Sequence, residues 1–188
     1  NTRTKLALGN ADGLLPWRAV LPTAEISPAS LESLLGNVSF DAVIICSVVP
    51  AKAAVLKSHF EGKLPLHFLD AQSPLGMGID YPQPSQIGAD RLANAAGVLS
   101  RHGAPAIIID FGTAVTFDVI SAEPAYCGGV IAPGLGAMSG YLSQKTALLP
   151  VIADSFRAVI SGRAWLRVKK RARVVGTIRS VEITHGAN

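Results

Sequence analysis

The sequence predicts an α/β protein with a mixed β-sheet, in which helices flank the strands. Strand-like and helix-like segments alternate along the 188 residues, which is typical of this class. Three strand-like segments, centred on Ile108, Phe117 and Val130, follow one another directly and indicate that the sheet is mixed. Hydrophobic residues make up 49% of the chain and charged residues 16%, so we expect a sizeable core and exclude a disordered protein.

The first half of the chain contains three predicted strands and two predicted helices. The alternating polar and apolar residues of NTRTKLALG indicate a strand that enters a turn at Gly9–Asn10. In SPASLESLLG, Ser27 is expected to cap a helix that starts with Pro28 and stops at Gly36. The next segments are, in order, a buried strand in DAVIICSVVP, a helix in AKAAVLKSHFEG and a strand in LPLHFLD.

The second half begins with the clearest helical pattern, QIGADRLANAAGVLSRHG, which is rich in Ala and Leu and ends at Gly103. After the three central strands, LGAMSGYLSQKTALLP predicts a helix that Pro150 stops. The stretches NTRTKLAL and GTAVTFDV both place small hydroxylated residues at a turn before a strand. This echo favours two related lobes, although chance similarity over so short a stretch is an adequate alternative.

The cysteines and the hydropathy profile bear on the compartment. Cys46 and Cys127 lie in apolar surroundings without the spacing of metal ligands, so we expect buried, reduced thiols and a cytoplasmic protein. No apolar run reaches the length of a membrane span, and no signal peptide is evident. Because the chain begins with Asn1 rather than Met, we expect a processed product or a fragment.

The net charge of +4 is placed unevenly along the chain. Six basic residues crowd into one stretch near the C-terminus: Arg163, Arg167, Lys169, Lys170, Arg171 and Arg173. Such a run can contact nucleic acid or an acidic partner. Trp165 is the one aromatic residue within this run, and a single ring is not the repeated interleaving that supports base stacking. A solvated face is therefore the preferred interpretation, and nucleic-acid binding is not predicted.

The stretch IIIDFGTAVTFDV brings a carboxylate, Asp110, to the end of an isoleucine-rich strand, which we expect to be fully buried. Asp and Gly are common turn formers, so a simple turn is one interpretation. A phosphate or metal site is the other, because Gly112 lets a ligand approach the backbone and Thr113 offers a hydroxyl. The residues of this stretch alone favour neither.

The stretch IGADRLANAAG places Asp90 and Arg91 in the first turn of a helix. An acidic residue there commonly interacts with the helix dipole, and this is the interpretation that the stretch alone favours. The alternative is a ligand site, since Gly88 and Ala89 leave backbone amides open to an anion. Arg91 could bind a carboxylate, and Asp90 could accept a proton from a hydroxyl.

Several familiar site patterns are incomplete or missing. Gly134-x-Gly136 before a helix resembles the start of a dinucleotide-binding fingerprint, but Ser139 stands where the third glycine belongs. Neither a G-x-x-x-x-G-K-[ST] loop nor a nucleophile-elbow pattern occurs. The four histidines are scattered without ligand spacing. Turns that carry hydroxyls and carboxylates remain, and these suit phosphate handling.

Three motifs in this order, GADRLANAAG, IIIDFGTAVTFDV and YCGGVIAPGLGAMSGYLSQKTALLP, resemble the type III pantothenate kinases. The resemblance covers about Asn1 to Pro150, and the sequence after Pro150 departs from the family pattern. It implies the actin-like, sugar-kinase and heat-shock ATPase superfamily, with duplicated ribonuclease-H-like lobes built of mixed sheets flanked by helices. We expect an N-terminal lobe over 1–85 and a C-terminal lobe over 86–188.

The family opens with a D-x-G-N-T-x-x-K phosphate motif, and this chain matches its last five positions. The resemblance therefore implies that Asn1, Thr2 and Lys5 bind ATP. The Asp of the motif would lie three residues before Asn1, so we expect a chain that lacks this acid and most of the first strand.

The resemblance also implies roles for seven further residues. Asp90 would be the catalytic proton acceptor, Thr113 would contact ATP, and Asp110 would coordinate a monovalent cation. Pantothenate would be held by Tyr81, Gly88, Ala89, Asp90 and Arg91.

The activity implied is ATP-dependent phosphorylation of pantothenate to 4′-phosphopantothenate, the first step of coenzyme A synthesis. ATP with Mg²⁺, a monovalent cation (K⁺ or NH₄⁺) and a homodimer are implied with it. Two alternatives stay open: a non-catalytic regulatory or binding homologue of the same fold, and a related kinase of another small hydroxyl compound. The basic tail and the missing elements of the family pattern favour the first alternative, whereas intact GADR and DFGTA disfavour it.

Overall fold

The computed structural model describes residues 2–145 and 173–174. The chain divides into two compact units, Asn1–Leu75 with Gln83–Ala93 and Gly76–Pro82 with Asn94–Asn188. We call them the first and the second unit and describe each by itself. Helices and mixed sheets occur together, so the predicted α/β class is confirmed.

The first unit opens with an antiparallel hairpin of β1 (Arg3–Asn10) and β2 (Gly13–Pro22). The Asn10 side chain accepts hydrogen bonds from the backbone amides of Asp12 and Gly13 at 3.0 and 3.1 Å, which closes the turn. Strand β1 and its turn confirm the prediction for NTRTKLALG. Strand β2 was not predicted, because Pro16 and the run of apolar residues obscure its alternation.

Helix α1 (Pro28–Leu35) follows a short 3₁₀ turn at Thr23–Glu25. Ser27 caps the helix by accepting from the amide of Ser30, and the Ser30 hydroxyl accepts from the amide of Ser27 in return. Gly36 is the C-terminal cap. The predicted start and stop signals are therefore confirmed. The core of this unit consists of Leu21, Ile26 and Leu31, with Leu6, Leu34, Leu35, Val55 and Leu56 packed around them.

A βαβ segment follows, in which β3 (Val43–Ile45) pairs in parallel with β4 (Leu66–Phe68) and α2 (Pro50–Phe60) connects them. The three elements were predicted, but β3 was expected to be longer and buried. Ile44 is 74% exposed, because the strand buries only one face. Pro50 begins the helix instead of ending the strand, since its fixed φ suits the first helical turn.

Helix α3 (Ala89–His102) begins in the first unit and continues into the residues of the second. It ends before Gly103, whose φ of +77° is incompatible with a right-handed helix and favours glycine. The sequence prediction for this helix is confirmed at both ends.

The second unit contains a five-stranded mixed sheet in the order β5-β8-β7-β6-β9. Its strands are β5 (Gly78–Ile79), β6 (Ala106–Phe111), β7 (Ala114–Ile120), β8 (Ala125–Pro133) and β9 (Arg173–Val174). Strands β6, β7 and β8 form an antiparallel meander, while β5 and β9 pair in parallel with β8 and β6. The three central strands were predicted, whereas the two-residue strands β5 and β9 were not.

Helix α4 (Leu135–Lys145) follows β8. Its predicted stop at Pro150 and most of the basic cluster (Arg163, Arg167 and Lys169–Arg171) lie outside the described residues. Arg173, the last member of that cluster, belongs to β9.

The sheet of the second unit buries one face more completely than the other. The buried face contains Ala106, Ile108, Asp118, Ile120 and Tyr126, whereas Ile109, Phe111, Val119 and Val130 on the opposite face are 39–61% exposed. The expectation that the isoleucine run is fully buried is therefore wrong for its second half.

The expectation of buried cysteines is also wrong, since Cys46 and Cys127 are both exposed. Cys46 directly follows β3, and Cys127 lies at the point where the register of β7 and β8 shifts.

The two stretches that echo each other in sequence also occupy similar local positions. NTRTKLAL leads into the hairpin β1–β2, and GTAVTFDV leads into the hairpin β7–β8. A helix follows each hairpin. The assignment of duplicated lobes to 1–85 and 86–188 stays a prediction.

Candidate functional site

The N-terminus of α3 gathers four of the predicted site residues in the first unit. Ala89 is the first helical residue, and the carbonyl of Gly88 accepts from the amides of Arg91 and Leu92 at 3.0 and 3.2 Å. The amides of the first turn have no partner within a helix by its geometry, and the dipole is positive there. This end of α3 can therefore receive an anionic group.

Gly88 leaves room for the carboxylate of Asp90. A Cβ at Gly88 would lie 2.6 Å from Oδ1 of Asp90 and 3.5 Å from Cγ1 of Val48. The same Oδ1 accepts from the amide of Arg91 at 2.9 Å. The carboxylate thus folds back over a glycine, and it remains exposed to solvent. A side chain in this position can meet a substrate hydroxyl and accept its proton.

The thiol of Cys46, just after β3, lies close enough to Asp90 to be affected by its charge. Although Cys46 has solvent-exposed surface, its thiol is partly shielded by surrounding atoms. This partial desolvation, followed by the negative charge of Asp90, raises the pKa of Cys46 above its ordinary value. Val48 and Cys46 therefore place the carboxyl end of β3 beside the start of α3, which is where ligands bind in open α/β sheets.

Arg91 is half-buried, and its Nη2 atom is shielded from solvent. A guanidinium held in a partly buried setting can bind a carboxylate with two parallel hydrogen bonds.

The residues assigned to the phosphate motif lie on or next to β1. Thr2 and Lys5 are exposed, and the carbonyl of Thr2 accepts from the amide of Thr23 at 2.9 Å. The hydroxyls of Thr4 and Thr23 are 3.0 Å apart, which ties the start of β1 to the end of its hairpin partner. Asn1 lies outside the described residues.

In the second unit, Asp110 and Thr113 lie at the turn between β6 and β7. Asp110 shares the face of buried Ile108 but lies one step nearer the strand end and is exposed. Its Oδ2 accepts from Nδ2 of Asn94 at 3.0 Å. The turn itself is closed by a 2.9 Å hydrogen bond from the amide of Gly112 to the carbonyl of Ala114.

Gly134, at the start of α4, packs directly against this turn. Its amide donates to the carbonyl of Thr113 at 3.1 Å. A Cβ there would lie 2.5 Å from the carbonyl oxygen of Gly112 and nearer still to that of Thr113. Gly134 therefore supports the Gly112–Thr113 turn by close packing.

Tyr81, also in the second unit, lies against Gly128 of β8. A Cβ at Gly128 would be 3.1 Å from Cδ2 and Cε2 of the Tyr81 ring. The φ of Gly128 is +106°, a conformation that other residues rarely adopt. Tyr81 is 37% exposed, so its ring has one face on the protein and presents the rest outward.

The structure thus forms two groups from the predicted residues. Gly88 to Arg91 come together in the first unit, where Lys5 lies on β1 and Thr2 directly precedes it. Tyr81, Asp110 and Thr113 lie in the second unit. Sequence reasoning missed Asn94, Asp118, Tyr126 and the roles of Gly128 and Gly134. Asn94 has a signal, because it lies one helical turn after Asp90.

The fit of these residues to metal ions can be judged from their donors. Within 2–145 and 173–174, no three His, Cys, Asp or Glu side chains cluster as metal ligands. Asp110 provides one exposed carboxylate, and Asn94 orients it. A single carboxylate suits a cation that prefers oxygen ligands and takes most of them from water or substrate. Among the described helices, none has the length and apolarity needed to cross a membrane.

Comparison with known proteins decides the family. The family model described as type III pantothenate kinase matches residues 1–168. This chain belongs to the type III pantothenate kinase family.

Curated relatives carry the same family name. The chain is 48% identical to the type III pantothenate kinase of Akkermansia muciniphila, over 94% of this chain and 72% of the relative. It is 45% identical to that of Methylacidiphilum infernorum, over 81% of this chain and 55% of the relative. The relative from Rhodospirillum rubrum is 36% identical over 97% of this chain and 76% of its own length. The family predicted from the three motifs is confirmed.

Proposed function

We propose that this chain carries out the ATP-dependent phosphorylation of pantothenate to 4′-phosphopantothenate. Membership of the type III pantothenate kinase family supports the reaction class and the substrate. The observation that carries the proposal is the exposed Asp90 carboxylate at the start of α3, folded over Gly88.

Asp90 is proposed as the base that orients and deprotonates the primary hydroxyl of pantothenate. A carboxylate in the first helical turn interacts favourably with the positive end of the helix dipole, and a carboxylate oxygen can accept the proton of a hydroxyl. Its exposure leaves one oxygen accessible to a substrate hydroxyl while Oδ1 binds the amide of Arg91.

Arg91 is proposed to bind pantothenate through the carboxylate of the substrate or through another of its hydrogen-bond acceptors. The backbone amides of Ala89 and Asp90, at the start of the first turn, are proposed to add hydrogen-bond donors. Tyr81 is proposed to contact the substrate with the part of its ring and hydroxyl that Gly128 does not cover.

Thr113, Thr2, Lys5 and Asn1 are proposed to bind ATP. Gly134 holds the Gly112–Thr113 turn by a hydrogen bond and by close packing, so the Thr113 hydroxyl extends from a supported backbone. Phosphoryl transfer passes through a loose transition state, and such fixed positioning supplies much of its catalysis.

Asp110 is proposed to hold a monovalent cation, K⁺ or NH₄⁺, and the reaction is proposed to use Mg²⁺ with ATP. When bound, these cations neutralise charge on the phosphates. In this proposal, one carboxylate oxygen of Asp110 contacts the monovalent cation, while the other accepts the hydrogen bond from Asn94.

A homodimer and a cytoplasmic location are further proposals that follow from the resemblance to the family. Light scattering after size-exclusion chromatography measures the oligomeric state, and a monomer at micromolar concentration would contradict the dimer.

The deciding experiment combines the chain with ATP, Mg²⁺, K⁺ or NH₄⁺, and pantothenate, with mass spectrometry for 4′-phosphopantothenate. We expect product, and we expect Asp90→Asn to lower kcat by about 10²- to 10⁴-fold with little change in KM. The matched control is Asp41→Asn, which removes an exposed carboxylate of the same unit.

The two alternative functions give different results in this assay. A regulatory homologue would bind pantothenate or ATP without forming product. A kinase of another compound would hydrolyse ATP, or transfer its phosphoryl group to that compound. Pantothenate would not raise the Tm of such a protein. Either result would contradict the proposed reaction.

A further inference from the structure

A buried carboxylate in the second unit has no part in the reaction proposed above. Asp118 is 0% exposed, and its Oδ1 accepts a hydrogen bond of 2.6 Å from the hydroxyl of Tyr126, which is also 0% exposed. This is at the short end for a hydroxyl donor, and such a bond is strengthened in a low-dielectric interior. The pair therefore fixes Tyr126 firmly to β7.

The bond lies where the strand ladder itself is irregular. The register of β7 and β8 shifts between Val119 and Ile120, so the backbone pairing is interrupted beside Tyr126. A buried side-chain bond across the two strands restores a defined register at this point. Asp118 thereby determines where the residues of β8 that follow Tyr126 are placed.

Strand β5, which leads to Tyr81, is held by this part of β8. Its two residues, Gly78 and Ile79, pair with Ala125 and Tyr126. The amide of Asp80 donates to the carbonyl of Tyr126 at 2.9 Å. Because β5 is so short, the position of the next residue, Tyr81, depends on these few bonds.

The Tyr81 ring is held by the same strand. Gly128, two residues after Tyr126, lies beneath the ring. A Cβ there would be 3.1 Å from two ring carbons, so the ring would have to shift slightly to make room for it. Both the backbone before Tyr81 and the surface beneath its ring are thus set by 126–128 of β8.

We propose that Asp118 and Tyr126 are positioning residues for Tyr81, and that through Tyr81 they determine the affinity for pantothenate. The inference rests on the proposed function, in which Tyr81 contacts the substrate. Neither Asp118 nor Tyr126 touches the substrate in this proposal. Their effect should therefore appear in pantothenate binding and leave ATP binding unchanged.

The test uses two variants that disturb this support in different ways. Tyr126→Phe keeps the ring and removes the hydroxyl that binds Asp118. Gly128→Ala adds a methyl group under the Tyr81 ring at a φ of +106°. Tyr141→Phe is the matched control for the loss of a hydroxyl, because Tyr141 is 61% exposed on α4. Ala106→Gly controls for general destabilisation, since Ala106 is 1% exposed at the start of β6.

Two measurements are made on each variant of the full chain. Calorimetric titration gives the Kd for pantothenate and for ATP, and hydrogen exchange followed by mass spectrometry reports on the segment 76–82. For Tyr126→Phe and Gly128→Ala we expect the Kd for pantothenate to rise about tenfold, with the Kd for ATP unchanged. For Tyr126→Phe we also expect faster exchange in 76–82. The two controls should match the parent chain in both measurements.

The outcomes separate this inference from the proposed function. A parent chain that binds no pantothenate contradicts the proposed function. A parent that binds it, together with a folded Tyr126→Phe variant of equal affinity and equal exchange in 76–82, contradicts only the positioning role. If Tyr126→Phe does not fold, the Gly128→Ala variant provides the test. A Kd for pantothenate equal to that of the parent chain would then show that β8 does not position Tyr81.

Discussion

Nδ2 of Asn94 donates a hydrogen bond of 3.0 Å to Oδ2 of Asp110, so an amide on α3 orients the carboxylate that ends the isoleucine-rich run of β6. An orienting bond of this kind resembles the outer hydrogen bonds that hold metal-ligating carboxylates elsewhere. It gives a direct test of the cation role proposed for Asp110.

Asn94→Ala should raise the K⁺ concentration for half-maximal activity about tenfold, because one hydrogen bond to a charged group is lost. The same variant should need more K⁺ for thermal stabilisation, which is measured without turnover. Asn37→Ala, at an exposed position in the first unit, is the control. A K⁺ dependence equal to that of the parent chain would show that Asn94 does not orient a cation ligand.

Gly134→Ala and Gly136→Ala form a matched pair at the start of α4. An added Cβ at Gly134 collides with the carbonyls of Gly112 and Thr113, whereas nothing lies within 4 Å of a Cβ at Gly136. We expect Gly134→Ala to raise the KM for ATP several-fold and to lower the Tm, since backbone must move to relieve the overlap.

Gly136→Ala should keep the KM for ATP and leave stability unchanged or raised by up to about 1 kcal/mol, because alanine favours the helix. Steady-state kinetics with varied ATP and a thermal melt decide the point. Equal KM values for the two variants would mean that the Gly112–Thr113 turn does not contact ATP.

Cys46 reports on the charge of Asp90. Partial burial and, to a lesser extent, the charge of Asp90 raise the pKa of Cys46. A smaller fraction of Cys46 is therefore ionised near neutral pH than of an ordinary thiol. Because the thiolate is the form that reacts with alkylating agents, Cys46 should react slowly. In a Cys127→Ser background, iodoacetamide should therefore modify Cys46 slowly. Asp90→Asn should increase the rate but not abolish the effect of burial.

The control for this experiment is Asp41→Asn, which should leave the alkylation rate of Cys46 unchanged. Pantothenate should slow the reaction if it binds beside Asp90. An alkylation rate that is the same with and without the Asp90 charge would place the carboxylate farther from Cys46 than the structure does.

Asp70 should make stability depend on pH in the acid range. Hydrogen bonds from the amide of Gln72 and the hydroxyl of Ser73 are the main causes that lower the pKa of Asp70 from its ordinary value of 3.8. A carboxylate whose pKa is lower in the folded state stabilises the fold above 3.8 and loses this contribution as the pH falls through the lower value.

The expected result is a lower Tm for Asp70→Asn than for the parent chain at pH 6, with the difference shrinking below about pH 4. The side chain is fully exposed, so the difference should be small. Thermal melts across this pH range measure it, with Asp41→Asn as the control. A difference that persists unchanged in acid would contradict the role of the ionised carboxylate.

Much of the architecture could be predicted from local signals. Ser27, Pro28 and Gly36 define α1, and Gly103 defines the end of α3, because caps and glycines act on the backbone within a few residues. The family, too, was evident from three motifs. The hairpin strand β2 and the short strand β5 could not be predicted, since a two-residue strand such as β5 has no periodicity of its own.

Burial was the property that sequence predicted least well. Hydrophobic runs such as those around Ile44 and Ile109 suggested fully buried strands, yet these side chains are exposed. A run of apolar residues does not show which of its two faces another layer covers. The same limit explains the exposed cysteines, Cys46 and Cys127.

The sequence by itself determined the fold class, the family and the residue types available for phosphoryl transfer, because helix signals, turn residues and motifs are written in neighbouring positions. Only the tertiary structure decided that Asn94 meets Asp110, that Gly134 supports the turn at Thr113, and that Asp118 binds Tyr126 in the interior. These partners are eight or more residues apart, and chain folding alone brings them within hydrogen-bond distance.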